Sequence, residues 1–164
     1  MNKAVYRKSL DVQKSGVQFS VNAYKNEALS RSLELNIVDG GKPFDFGSGE
    51  LTAVLFAKKP DGTILYNACE VEGNRVSYTF TQQTLTASGS IPARLLIVAV
   101  DNIADALDAI ASNALGESET IQVLYSPEFC ICVNEVEDYG EAEKCFERFN
   151  DVWRPVGVYM TQDG

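Results

Sequence analysis

"LELNIVDGGKPFDFGSGELTAVLFAKKPDGT", residues 33–63, decides the fold class. Leu33, Leu35 and Ile37 fall on one side of an extended chain, with Glu34 and Asn36 on the other. That period of two is the signature of a half-buried strand. Asp39 to Pro43 then break the chain with turn residues. Residues 51–57, LTAVLFA, are apolar on both faces, as in a central strand. The next reversal is Lys59-Pro60-Asp61-Gly62. Pro60 presets φ for the second position of a tight turn, Asp61 tolerates the third, and Gly62 closes it without steric cost.

The same grammar extends outward. Residues 17–23, VQFSVNA, alternate with Val17, Phe19, Val21 and Ala23 on one face. Residues 64–71, ILYNACEV, lead to a second turn at Glu72-Gly73-Asn74. Residues 75–81 alternate through Val76, Tyr78 and Phe80, and residues 93–100, ARLLIVAV, read as a buried strand. Residues 119–125 and 129–133 return to strand after an interruption. Short strands separated by turn signals predict a mainly β fold, an antiparallel β-sandwich. Two segments carry helical spacing instead. Residues 101–116 place Ile103, Leu107, Ile110, Ala111 and Leu115 on one stripe, with Asp101 or Asn102 to cap the start and Gly116 to end it. Near 141–153, Ala142, Cys145, Phe146, Phe149 and Trp153 form the apolar stripe of an amphipathic helix. The expected layout is a sandwich over 1–135 and a helical extension over 136–164.

Composition narrows the function. The chain has 164 residues, 45% hydrophobic and 23% charged, the values of one globular domain with a real core. A net charge of −9 argues against nucleic acid as a partner. No window approaches a membrane span, and the N-terminus lacks the apolar core of a signal peptide, so a protein made in the cytosol is expected. There is no histidine. That removes the commonest general base and the commonest metal ligand, and lowers the expectation of catalysis.

Candidate sites were weighed against plainer roles. Cys130 and Cys132 share a face of a strand, and Cys69 and Cys145 would complete four metal ligands. No C-x-x-C knuckle is present, so reduced, metal-free cysteines are expected. The carboxylates between Glu135 and Asp151 fit the wet face of a helix better than a calcium loop or a glycosidase pair. The glycine-rich stretch 39–50 lacks the phosphate-cradling P-loop pattern, and Phe44 and Phe46 beside it read as core anchors. Tyr66, Tyr78 and Trp153 are candidates for sugar contact, though tyrosines alternating on strands usually pack. Phe146, Phe149 and Trp153 form the candidate interface: the stripe covers either the chain's own sheet or another subunit.

The order of motifs is itself informative. The 33–63 segment is followed by VSYTFTQQTLTASGSIPARLLIV at 76–98 and, later, by YSPEFCICVNE at 125–135. This arrangement resembles the N-terminal domain of baseplate upper proteins (BppU-type) of tailed phages infecting Gram-positive bacteria, over roughly residues 5–134. The resemblance implies a sandwich that docks on the tail baseplate as an adaptor within a trimeric assembly. The expected protein is therefore a structural, non-enzymatic virion component with no cofactor. Its partners would be other tail proteins and further copies of itself, a trimer above all. Assembly would take place in the host cytoplasm. A carbohydrate-binding sandwich that touches the host surface is the alternative.

Overall fold

The computed structural model describes residues 2–111 and 121–136, together with the backbone of 146–149 and 152–155. The strands are β1 Ala4–Asp11, β2 Ser20–Tyr24, β3 Arg31–Asp39, β4 Lys42–Pro43, β5 Leu51–Lys58, β6 Ile64–Ala68, β7 Glu70–Glu72, β8 Arg75–Thr79 and β9 Gly89–Ala99. A helical turn at Val100–Asn102 leads into α1, Ile103–Ala111, and β10 Val123–Tyr125, β11 Phe129–Asn134, β12 Phe146–Phe149 and β13 Val152–Pro155 follow.

Two sheets face each other. The first runs β1-β3-β8-β7, with β4 also paired to β3. The second runs β2-β11-β9-β5-β6, with β10 also paired to β9. The alternation in the sequence is what fills the space between them. Leu33, Leu35, Ile37, Val76 and Tyr78 project from the first sheet onto Ala53, Leu55, Ala57, Ile91, Leu95, Phe129 and Ile131 of the second, in one buried cluster. Phe80 and Leu85 belong to the same cluster, as does Phe46, whose ring meets Phe44 edge-on at 4.8 Å. The β-sandwich expected from the sequence is the observed fold, and the insert near 101–116 does contain a helix, over Ile103–Ala111. Residues 112–120, including Leu115 and Gly116 of that stripe, lie outside the described residues.

Three expectations change. First, the sheets are mixed rather than purely antiparallel: β1 runs parallel to β3 and β2 parallel to β11. Strand direction is set by long-range pairing, which no local pattern encodes, and β1 has no alternation to announce it because only Leu10 along it is buried. Second, the strand near 17–23 begins only at Ser20, and Val17 is exposed. Third, the segment near 141–153 is no helix where it is described. Residues 146–149 and 152–155 pair as antiparallel strands, with Phe149 opposite Val152. The apolar spacing of three and four fits a helix, but aromatic and β-branched residues on either side of Asn150-Asp151 also fit a hairpin, and short apolar runs do not separate the two. The single-face stripe belonged to the helical reading and is lost with it.

Candidate interaction surfaces

The turns singled out by the sequence are built as clamps. In the Lys59–Thr63 reversal, the Lys59 N–H donates to the Thr63 carbonyl at 2.8 Å and the Gly62 N–H to the Lys59 carbonyl at 2.9 Å. The Asp61 carboxylate accepts from the Thr63 N–H at 2.9 Å, and this bond holds its pKa below the usual carboxylate value. Lys59 itself is only 7% exposed, and its ammonium donates to the Gln83 carbonyl at 2.6 Å. A Cβ on Gly89 would sit 3.0 Å from Pro60 Cγ, so the glycine lets the two segments close. The KPDG turn and the TQQTLTASG segment, distant in sequence, thus form one joint.

Other motif residues are occupied in the same way. The Asp11 carboxylate accepts from the N–H groups of Gln13, Gly40 and Gly41, which holds its pKa down. Gly40 and Gly41 sit at φ of +62° and +86°, so the Asp-Gly-Gly run is a backbone requirement. Buried Thr84 is shared between the Tyr78 hydroxyl at 2.6 Å and the Thr81 hydroxyl at 2.9 Å, and Asn67 Nδ2 donates to Tyr78 at 2.7 Å. Buried Ser126 accepts the Leu95 N–H at 2.9 Å on its hydroxyl and donates to the Pro127 carbonyl. The Ser126 N–H also donates to the Leu95 carbonyl at 2.9 Å, so backbone and side chain together carry the ladder across the break between β10 and β11.

The outer faces of the two sheets differ. On the first sheet, Glu34 meets Arg7 at 3.2 Å and Arg75 at 3.9 Å, and Arg75 also reaches Glu72 at 2.7 Å. On the second, Val54, Leu96 and Val98 point away from the core yet are buried. Helix α1 follows β9 in the chain through the Val100–Asn102 turn, and its Ala106 is fully buried. Beyond the helix, Phe56 meets Tyr66 edge-on at 5.1 Å and Tyr125 at 6.1 Å. Partial desolvation raises the pKa of both tyrosines.

The sequence candidates fall as follows. Tyr78 is buried and bonded inside the sandwich, which removes it from any sugar platform. Tyr66 sits in the aromatic group on the second sheet. Cys130 and Cys132 do share a face, and the Ser90 hydroxyl donates to Cys130 at 3.5 Å. Cys69 lies apart, with burial pushing its thiol up to about 12; Cys145 is outside the described residues. Among the described residues, no three His, Cys, Asp or Glu side chains are grouped to hold a metal ion, and no helix is long and apolar enough to cross a membrane. Phe146, Phe149 and Trp153 are placed only by their backbone, on β12 and β13. Lys59 was missed altogether, because a lysine beside a turn carries no mark of burial.

Comparison with known proteins completes the picture. A family model described as the BppU N-terminal domain matches residues 5–111. Among solved structures, the N-terminal domain of phage TP901-1 ORF48 is similar with a TM-score of 0.55 at 13% identity, over 82% of this chain and 99% of that one. At that identity the likeness speaks for the fold alone. No curated protein matches the sequence.

Proposed function

Since the chain belongs to the BppU N-terminal domain family, a phage baseplate domain, we propose that it serves as a protein–protein adaptor in the virion tail, with no catalytic step of its own. The observation that carries this reading is how the motif residues are used. Asp11, Lys59, Asp61, Thr84 and Ser126 each hold a turn or a strand break. None faces a second reactive group in the manner of a nucleophile and its base.

The adaptor acts by burying surface against other tail proteins and further copies of itself, after assembly in the host cytoplasm. The sandwich over 1–135 forms the docking body and 136–164 an extension. Within the extension, Phe146, Phe149 and Trp153 supply the contact between copies. A two-stranded hairpin such as β12–β13 is marginal in water by itself and needs a surface to pack on. The acidic balance of the chain selects basic partner surfaces.

The test is coexpression with the tail proteins encoded beside it. A stable complex in size-exclusion chromatography is expected. A chain that elutes alone with every neighbour overturns the adaptor role. Phe149→Asp is expected to lower the mass measured by light scattering while the sandwich stays folded. A wild-type chain that is monomeric at high concentration removes the self-association.

A further inference from the structure

Every sheet has edges, and exposed edges invite pairing with other chains. Most edges here are guarded. β1 carries Arg7 and Lys8. On β2, the Asn22 carbonyl accepts the Tyr6 hydroxyl at 2.6 Å and the Tyr24 N–H donates to the Glu27 carboxylate at 2.6 Å. β4, β7 and β10 are only two or three residues long. β6 differs: Ile64, Leu65, Tyr66, Asn67 and Ala68 include no charge and no proline, and among the described residues β6 pairs only with β5.

The direction of its free groups follows from the ladder. Lys59 bonds to Thr63 and Cys69 to Ala53, and the register between these two pairs is unbroken. Pairs 57/65 and 55/67 therefore exchange the ladder bonds, so the N–H and C=O of Ile64, Tyr66 and Ala68 point away from β5. The same argument applies across the gap. Phe80 bonds to Arg31 and Ile37 to Asn74, which turns residues 75, 77 and 79 of β8 toward β7. β7 reaches only as far as the Glu70–Ser77 pair, so among the described residues no strand pairs with Thr79 on that side.

One groove touches both edges, at Ala68 and at Thr79. The chain leaves the second sheet at Cys69 and joins the first at Glu70, so β6 and β8 diverge from that point. A groove of about 530 Å³ runs along the outward side of β3 and β8, lined by Ser32, Glu34, Ser77 and Thr79, and reaches Asn67 and Ala68 at the end of β6. Glu70 stands exposed at the point of divergence and makes no ion pair among the described residues, whereas Glu34 on the groove wall is already shared by Arg7 and Arg75. Lys3, also on the wall, is held on the Thr79 hydroxyl at 3.2 Å.

We propose that this groove binds an extended strand of a partner protein, paired to the β6 edge and carrying a lysine or arginine that meets Glu70. Backbone bonds supply affinity in such strand addition, and the charge sets the register. The residues of this proposal all precede the C-terminal extension in the chain, so either reading can fail without the other.

The probe is a displayed library of random linear peptides panned on the full chain. Enriched peptides should combine β-branched residues in alternation with a basic residue, and hydrogen exchange should slow at Tyr66, Ala68 and Thr79 on binding. Ala68→Pro blocks an outward N–H without cutting the ladder to β5. Glu70→Lys reverses the recognising charge. Each is expected to weaken the peptides by about tenfold or more with melting unchanged. Peptides that bind both variants as tightly as wild type overturn the proposal. So does a selection without basic, strand-forming sequences, or protection confined to other edges. Self-association that disappears in Ala68→Pro would make a second copy the occupant and overturn the proposed partner.

Discussion

The two outer faces of the sandwich look alike in topology and differ in chemistry. The first sheet presents Glu34, Asn36, Arg75 and Ser77 outward, and its central strands β3 and β8 alternate between core and outer face. The second buries Val54, Leu96 and Val98 on its outward side as well. The sequence shows why: ARLLIVA and LTAVLFA are apolar at consecutive positions, and such strands need cover on both faces. The polar face of the first sheet has no such demand.

That contrast can be broken most strongly at Leu96, which is 0% exposed although it points away from the main core. Leu96→Ala should cost about 2–5 kcal/mol in urea unfolding, while Asn36→Ala on the opposite face should stay within about 0.5 kcal/mol. Equal effects would mean that the outer layer contributes no real burial.

Ser126→Ala comes next. It leaves the buried Leu95 N–H without its 2.9 Å acceptor, and a loss of about 1–3 kcal/mol is expected by chemical denaturation. Ser126→Thr keeps the hydroxyl and should recover part of it.

Acid should act mainly through the carboxylates that bind backbone. Asp11, Glu27 and Asp61 all have pKa values lowered from 3.8, 4.5 and 3.8, the first and last by backbone N–H groups and Glu27 mainly by Arg31. A lowered folded-state pKa means that the unfolded chain binds protons first. The stabilisation is therefore complete above the ordinary carboxylate range and is lost as pH falls through it and below. Melting curves from pH 6 to about 3 should show a decline that is shallower in Asp11→Asn. A parallel decline would remove Asp11 from the account.

The smallest effect is expected on the first sheet. Glu34→Gln breaks ion pairs to Arg7 and Arg75 that sit at the surface, and a change of about 0–1 kcal/mol, fading with added salt, is expected from thermal melts.

How much of this was legible in the sequence varied with the range of the interaction. Strands β3 and β8 were readable because one-sided burial imposes its period on neighbouring residues, and β5 and β9 because an unbroken apolar run marks a strand covered on both faces. The turns at 39–43, 59–62 and 72–74 were readable because glycine, proline and aspartate carry their own conformational preferences. The candidate interface was read as a helix because Phe146, Phe149 and Trp153 are spaced equally well for one. Nothing local identified the groove between β6 and β8, since an edge is defined by the strands that are absent from it.

By itself, then, the sequence determined the β class and the positions of most strands and turns, which rest on residues close together in the chain, and the family, which rests on the order of those motifs along it. Only the tertiary structure decided that β1 and β2 run parallel to their partners, and that Lys59 lies buried on Gln83. It also decided that residues 64–72 cross from one sheet to the other at Cys69. Each of these depends on which distant segment arrives alongside, and the free energy of that pairing is shared between two stretches of chain, neither of which specifies it alone.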